Sequence, residues 1–299
     1  TVTIGLIVLL VAFALINPNF WSPTNRTNLL RQIAPILIIG IAQSYVLITG
    51  NIDLSIGSVV GMSTMVAATL MSKGIMSPIP ALLVTLLCCL LIGVLNGLLV
   101  AKFKLPPFIA TLGTMTVARG IAQLVNGNYN TDSIMKFYPE AAQTFKNVFY
   151  YGKTLGLYNG IWIAIILWIV FNFLLSKTRT GRYIYATGSN IDAARLSGVN
   201  VVSTTVIAYV VSAFCSFVVG IITCATVGQG TMDAGNSYEM YAVAASVIGA
   251  AIWGTLQNGL QFAGAPVAIR NIIIGIIVVL SVLMDVVIRT GRRNTKVSD

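Results

Sequence analysis

Histidine is absent from this 299-residue chain, and acidic residues are few, with 8 Asp and Glu against 18 Lys and Arg. Without an imidazole, the chain has no histidine base for catalysis, no histidine metal ligand and no histidine proton relay. It also lacks the G-x-x-x-x-G-K-[ST] pattern that cradles nucleotide phosphates. Its four cysteines lie inside apolar runs, where they are typical of small buried hydrophobes. We therefore expect a non-catalytic chain that holds no metal and no cofactor.

The apolar content is high: 57% of the residues are hydrophobic and 9% are charged, against about 25% charged in soluble proteins. A membrane-spanning helix needs about 20 apolar residues. Such runs recur along the sequence without the apolar–polar alternation of β-barrel strands. This pattern predicts an all-α polytopic membrane protein forming a single domain over residues 1–299. The runs are 2–16, 29–48, 54–72, 81–101, 106–123, 162–175, 203–226, 240–261 and 267–288.

A basic loop, residues 177–201, separates two of these runs and carries Lys177, Arg179, Arg182 and Arg195. Short basic loops stay in the cytoplasm, so the net charge of +10 is better explained by membrane orientation than by nucleic acid. With this loop inside, the N-terminus is also cytoplasmic, and the longest polar segment, residues 126–158, is extracytoplasmic.

Within the basic loop, Asn190–Gly198 has the pattern of a short helix: a polar cap, good helix formers and a terminating glycine. Its apolar side, formed by Ile191, Ala194 and Leu196, has no bilayer to enter. It therefore suits a protein partner, although an ordinary solvated turn helix fits the same pattern.

The run 240–261 poses a problem of orientation. If it crosses the membrane once, the tail with Arg289, Arg292 and Arg293 lies outside, against the positive-inside rule. If it is the remainder of two spans, the tail returns to the cytoplasm. We therefore expect about ten native spans, with a cytoplasmic hairpin of about 12–18 residues missing near Gly249 and Ala250.

Polar side chains in the apolar runs are the candidates for a solute path: Asp53, Asn96, Thr111, Thr114 and Asn258. Asp53 fits an intramembrane functional acid, but it also suits the cap of the following helix. The other four, and Gln257 beside them, either line a path or bond between helices. Arg119 and Arg270 lie near predicted outer helix ends, where snorkelling to headgroups is the default.

Four motifs resemble those of the permeases of ribose/galactose-type sugar ABC importers. They are Gly50-Asn-Ile-Asp-Leu-Ser-Ile-Gly57, Asn96-Gly-Leu with Pro106-Pro-Phe-Ile-Ala-Thr-Leu-Gly-Thr114, the loop from Thr178-Arg-Thr-Gly-Arg182 to Val201, and Tyr238-Glu-Met-Tyr-Ala-Val-Ala-Ala245. A glycine-rich segment that the family carries after Val247-Ile-Gly249 is missing, where the orientation argument also required residues.

The resemblance implies a permease subunit in the bacterial plasma (inner) membrane, with both termini cytoplasmic. It implies a coupling helix that docks on a separate, tandem two-domain ABC ATPase, which holds ATP and Mg. This helix comprises Asn190, Ile191, Asp192, Ala193, Ala194, Arg195, Leu196, Ser197 and Gly198. An extracytoplasmic sugar-binding protein and a second permease subunit, identical or different, complete the expected importer.

Two further points stay open from the sequence. The recurrence of Asn96-Gly-Leu and Asn258-Gly-Leu, each followed by a proline, suggests an inverted internal repeat. The alternative function is an ion-coupled secondary transporter, for which only Asp53, Glu239 and Asp285 lie near membrane depth.

Overall fold

The computed structural model describes residues 2–273, 275–277 and 279–280. Most of these residues are helical and very few are in strands, which confirms the predicted all-α class. The α-helices are α1 (Val2–Ile16), α2 (Pro23–Ile48), α3 (Ile56–Ser72), α4 (Pro78–Ala101), α5 (Pro107–Leu124), α6 (Pro139–Lys146), α7 (Asn159–Lys177), α8 (Arg179–Ser189), α9 (Ile191–Leu196), α10 (Val201–Val227), α11 (Tyr238–Ala244) and α12 (Ala250–Phe262).

Shorter elements complete the described fold. A 3₁₀ turn, Pro18–Trp21, links α1 to α2, and π-helical turns follow α6 and α11. The two-residue strands β1 (Lys153–Thr154) and β2 (Leu157–Tyr158) pair antiparallel, with Lys153 opposite Tyr158. Further described helical residues begin at Val267. The arginines of the tail lie outside the described residues.

Five described segments are long and apolar enough to cross a membrane by length and composition: α2, α4, α7, α10 and the segment Tyr238–Phe262. The helices α1 and α3 are apolar but shorter. Proline stands in the first turn of α2, α4 and α5, where its missing N–H leaves no helical hydrogen bond unmade. The apolar runs that lie wholly within the described residues are helical over most of their length, as predicted, and the run 240–261 is interrupted at Gly249.

The helix α10 lies at the centre of the bundle, against α2, α3 and α4. Glycine residues allow the backbones of these helices to pack closely. A Cβ at Gly97 would lie 2.5 Å from the Cα of Val206, and one at Gly220 would lie 2.5 Å from the Cβ of Ser63. Small residues let helix backbones approach closely in membranes, where burial of apolar surface from lipid adds no driving force.

The two ends of the bundle differ in character. We call one end the basic face; it contains residues 49–55, 102–106 and 178–200, and parts of all three stretches line one open cavity of about 730 Å³. The opposite face contains residues 17–22, 73–77 and 125–158. There the Tyr138 hydroxyl donates to the Gly74 carbonyl at 2.9 Å, and the Tyr151 hydroxyl donates to the Thr226 carbonyl at 2.9 Å.

The segment Tyr238–Phe262, which we call the re-entrant segment, is sharply bent. In a straight helix, residues 241 and 253 would be about 18 Å apart along the axis. The rings of Tyr241 and Trp253 are instead 5.7 Å apart. The break is at Gly249, whose φ of +105° and ψ of 133° are far from helical values. A left-handed φ of this kind is strained for a residue with a side chain and open to glycine.

Both flanks of the re-entrant segment lie toward the opposite face. The chain leaves α10 at that face, and Phe262 reaches the same face, where its ring is 6.2 Å from that of Phe20. The Asn17 side-chain amide also donates to the Phe262 carbonyl at 3.4 Å. The segment therefore enters the bundle and returns. The bend falls at Gly249, next to the predicted missing hairpin, whereas the ten-span count and the internal repeat stay predictions.

Candidate functional site

A buried chain of hydrogen bonds joins four elements near the basic face. Thr114 Oγ1 donates to Asn96 Oδ1 at 2.6 Å, and Asn96 Nδ2 donates to Ser55 Oγ at 2.9 Å. Ser55 Oγ donates in turn to Asp53 Oδ1 at 2.6 Å. From the other side, Ser212 Oγ donates to Asp53 Oδ2 at 2.7 Å. We call Asp53, Ser55, Asn96, Thr114 and Ser212 the Asp53 network.

Asp53 is 2% exposed, and both of its carboxylate oxygens accept hydrogen bonds. The backbone N–H of Ser55, the residue that precedes α3, also donates to Oδ1, at 2.8 Å. A carboxylate at this point lies at the positive end of the α3 dipole. Among the described residues, Asp53 has no ion pair. The residue at the N-cap of α3 is Ser55, so Asp53 is not itself the cap that the sequence offered; it holds the turn two residues before that cap, and a role in the path stays a prediction.

Close packing of α4 on α10 brings Asn96 into this network. A Cβ at Gly93 would lie 2.8 Å from the Tyr209 carbonyl, so glycine at this position allows the two backbones to touch. On the other side of the turn, the Tyr209 hydroxyl donates to the Ile52 carbonyl at 3.0 Å. The turn between α2 and α3 is thus tied to α10 both at Ile52 and at Asp53.

Two of the predicted path residues do not join this network. The Thr111 hydroxyl donates to the Pro107 carbonyl of its own helix at 2.9 Å. Asn258 lies toward the opposite face, where its side chain exchanges hydrogen bonds of 3.2 and 3.3 Å with that of Asn25. Asn258 therefore bonds between α12 and α2, which is the structural role that the sequence left open.

Arg119 is half-buried, and its guanidinium bonds to protein backbone, a role that the snorkelling default did not include. Its Nη1 donates to the carbonyl oxygens of Met232 at 3.2 Å and Ala234 at 3.0 Å. The non-helical stretch 228–237 thereby lies against α3, where a Cβ at Gly61 would be 2.7 Å from the Ala234 carbonyl. Irregular backbone at membrane depth requires such internal partners. The carbonyl oxygens of Met232 and Ala234 have no helical partner and accept from Arg119 instead. Sequence periodicity does not reveal this need for a donor.

The short helix α9 forms on the basic face, as predicted. Asn190 Oδ1 accepts from the backbone N–H groups of Asp192 and Ala193, each at 3.0 Å. Gly198, with φ of +82°, ends the helix, and Val199 N donates back to the Ala194 carbonyl at 3.0 Å. This is the Schellman arrangement, which satisfies the last carbonyls of the helix.

The predicted apolar side of α9 is wrong in one residue. Ala194 is 4% exposed and faces its own protein, whereas Leu196 is 90% exposed and Ile191 is 47% exposed. Ala194 and Val199 are buried against the rest of the protein, so the three predicted residues do not share one outward face of this six-residue helix. Leu196 and Ile191 are therefore the apolar groups that α9 presents outward.

The helix α8 connects α9 to the turn that holds Asp53. A Cβ at Gly188 would overlap the carbonyl oxygen of Ile48, so the α8 backbone is in direct contact with the end of α2. Thr49 begins the turn directly after that point, and Asp53 lies four residues further on. Displacement of α8 and α9 would therefore push on the turn and on the Asp53 network.

Sequence reasoning missed Ser212, Ser55 and Tyr209. Ser212 is a single hydroxyl within the strongly apolar α10, and a polar group in such a helix is the signal that could have identified it. The described residues contain no cluster of His, Cys, Asp and Glu that could hold a metal ion.

Comparison with known proteins identifies relatives over most of the chain. Residues 25–283 match the family described as branched-chain amino acid transport system / permease component. The chain is 36% identical to the ribose import permease protein of Haemophilus influenzae and 33% identical to that of Bacillus subtilis. Each match covers 94% of this chain and 91% of the relative. The galactofuranose transporter permease protein of Escherichia coli is 34% identical over 86% of this chain and 74% of its own. No solved structure matches.

Proposed function

Because this chain belongs to the family of branched-chain amino acid transport system permease components, as a ribose/galactose-type permease, we propose that it is the membrane-spanning subunit of an ATP-driven importer. Its solute is a monosaccharide or a similar small polar molecule. Support for the sugar class comes from the relatives, whose names specify ribose, allose, galactofuranose and galactose.

The observation that carries the coupling role is the connection from α9 to Asp53. The capped helix presents Leu196 outward, α8 supports it, and Gly188 touches Ile48 at the start of the turn. An ATPase bound at α9 would move this rigid unit and, through it, the Asp53 network. Small shifts at one site become larger rearrangements when they act through packed, discrete elements of this kind.

The remaining parts of the importer are separate chains. ATP and Mg belong to the ATPase, which docks on residues 190–198, and a tandem ATPase would offer two such docking sites. An extracytoplasmic binding protein delivers the sugar to the opposite face. A second permease subunit completes the path, which the Asp53 network borders from the cytoplasmic side.

The orientation follows from the basic face. With residues 178–200 in the cytoplasm of a bacterium, α10 leads outward and the re-entrant segment returns to the outside. The helix that begins at Val267 then leads inward, so both termini are cytoplasmic. The tail obeys the positive-inside rule without any additional span.

The Haemophilus relative supports the proposal that this chain lacks a segment, and we assign that segment to Gly249 because the chain bends there. The alignment with the Haemophilus permease is 302 positions long, yet it uses 94% of a 299-residue chain, about 281 residues, so about 21 positions have no residue here. About 20 apolar residues make one span. Residues of this number inserted at Gly249 would turn the re-entrant segment into two spans and give about ten in all, arranged as an inverted repeat.

The experiment that tests the function is co-purification with the ATPase encoded beside this chain, together with uptake of radiolabelled ribose and galactose. Wild type should retain the ATPase and support ATP-dependent uptake. Leu196→Glu places a charge on the outward side of α9, and we expect it to insert normally but lose the ATPase. The matched control is Lys177→Gln, an exposed change in the same loop outside α9.

Two results would contradict this function. One is uptake that persists without any ATPase and depends on an ion gradient, which would indicate a secondary transporter. The other is an ATPase that binds wild type and Leu196→Glu equally well, which would remove α9 from the coupling surface.

A further inference from the structure

A cavity of about 260 Å³ lies toward the opposite face, between α2, α10 and the re-entrant segment. Its size is just below the range of about 300–1,000 Å³ of sites for drug-sized ligands, so it suits a smaller solute. Its lining combines aromatic rings with amide, hydroxyl and guanidinium groups. The residues used below are Arg31, Pro35, Tyr150, Thr223, Tyr241 and Gln257.

Two donors in this lining are unsatisfied. Arg31 Nε and Gln257 Nε2 are buried and have no hydrogen-bond partner among the described residues. Native proteins rarely leave such groups unpaired, because each buried unpaired donor costs free energy. The side chains that carry these donors come from different helices and line one cavity. A ligand in the cavity would supply the partners that these donors lack once the two side chains turn toward it, Gln257 from its place beside the Tyr241 hydroxyl.

The cavity also contains potential acceptors. Pro35 lies inside α2 and has no N–H, so the helical hydrogen bond to the Arg31 carbonyl, four residues earlier, is not made. The Thr223 hydroxyl donates to the Val219 carbonyl at 2.8 Å, which leaves its own oxygen able to accept. Donors and acceptors together match hydroxyl groups, each of which both donates and accepts.

The guanidinium group of Arg31 stacks on two tyrosine rings. Its guanidinium carbon is 3.3 Å from the centre of the Tyr158 ring and 4.9 Å from that of Tyr150. Within the described part of the chain, no acidic residue lines the cavity. The aromatic contacts stabilise the cation, and the remaining polar lining is neutral and matches the hydroxyl groups of a sugar.

We propose that this cavity is a binding site for one uncharged monosaccharide ring, with Arg31 and Gln257 donating to its hydroxyls and Tyr241 covering an apolar C–H face. The proposal rests on the proposed function, since the ligand is the transported solute. It locates a site on the extracytoplasmic side, away from the Asp53 network, where the sugar would be held before it crosses.

The test is protection of a thiol introduced into the cavity by Thr223→Cys. The parent is Cys88→Ala, because the other three native cysteines are buried. The full chain in its membrane is treated with sulfonatoethyl methanethiosulfonate, with and without D-ribose, D-galactose, D-allose or the anion gluconate. We expect labelling at residue 223 that at least one of the sugars, but not gluconate, slows at least threefold.

The matched control is Ser133→Cys, which lies in the exposed loop of the same face; its labelling should not respond to sugar. Gln257→Met keeps the side-chain size but removes the donor. In the Thr223→Cys background, it should raise the half-protecting sugar concentration about tenfold.

Absence of labelling at residue 223, labelling that no sugar slows, or protection by gluconate alone would overturn the proposal. The assay needs no ATPase, so its outcome is independent of coupling. If uptake depends on this chain but residue 223 is not protected, the cavity proposal fails and the importer function stands. If residue 223 is protected but uptake is not driven by ATP, the importer function fails alone.

Discussion

Ser212 donates a hydrogen bond of 2.7 Å to Asp53, and this contact joins the centre of α10 to the turn between α2 and α3. Among the residues that the structure describes, Asp53 is the one acceptor for three donors, the Ser212 hydroxyl and the hydroxyl and N–H of Ser55. The carboxylate therefore determines how the turn is held against the bundle, and its removal should affect both elements.

We expect Asp53→Ala to reduce stability strongly. The substitution leaves buried donors without an acceptor, and each such donor costs about 1–3 kcal/mol. We therefore expect the free energy of unfolding to fall by about 3–5 kcal/mol. Asp53→Asn keeps an acceptor for Ser55 and should lose about 1 kcal/mol. Thermal unfolding in detergent measures both, with Thr85→Val as control, because its hydroxyl donates to a carbonyl of its own helix.

Uptake by the stable Asp53→Asn variant then separates the two interpretations of this residue. If Asp53 serves chiefly to hold the turn, uptake should stay within about threefold of wild type, less than the tenfold that 1.4 kcal/mol represents. A well-folded variant without uptake would show instead that the negative charge itself acts in the path.

Gly188 should be intolerant of any side chain. A methyl group there would overlap the Ile48 carbonyl and force α8 away from α2. We expect Gly188→Ala to reduce sugar uptake at least tenfold while the protein still inserts. The matched control is Gly120→Ala in α5, where an added Cβ meets no atom within 4 Å. Since alanine is about 1 kcal/mol better than glycine in a helix, this control should be neutral or stabilising. Equal uptake by both variants would argue against a rigid link between α8 and the turn.

Arg119 should hold the stretch 228–237 in place. Arg119→Met removes both donors to the Met232 and Ala234 carbonyls, and hydrogen bonds from charged groups contribute about 1.5–3 kcal/mol each. We expect amide exchange in residues 230–237 to accelerate at least tenfold, measured by hydrogen–deuterium exchange. Arg26→Met, an exposed arginine near the opposite face, serves as control. Unchanged exchange in the Arg119 variant would mean that packing on Gly57 and Gly61 alone fixes this stretch.

The helical elements were predictable from sequence, whereas their partners were not. Apolar runs determined where helices form, and the cap residues Asn190 and Gly198 located α9 correctly. The inward direction of Ala194 was not predictable, because a six-residue helix has no periodicity to indicate a buried face. Likewise, Asn96 and Asn258 have the same sequence context, yet one joins the Asp53 network and the other bonds to Asn25. Only the three-dimensional arrangement distinguishes them.

The final prediction concerns the position of the re-entrant segment in the membrane. Its length and composition suit a single span, which would place residue 263 in the cytoplasm, on the side of the basic loop. The contacts of Phe262 with Asn17 and Phe20 place it at the opposite face instead. We therefore expect Ala263→Cys, an exposed position, to react with a membrane-impermeant thiol reagent added outside intact cells. Ser133→Cys should react as the external reference, and Ser197→Cys, next to α9, should react only after the cells are opened. Protection of residue 263 until cell lysis would show that the segment crosses the membrane once, and the basic tail would then lie outside.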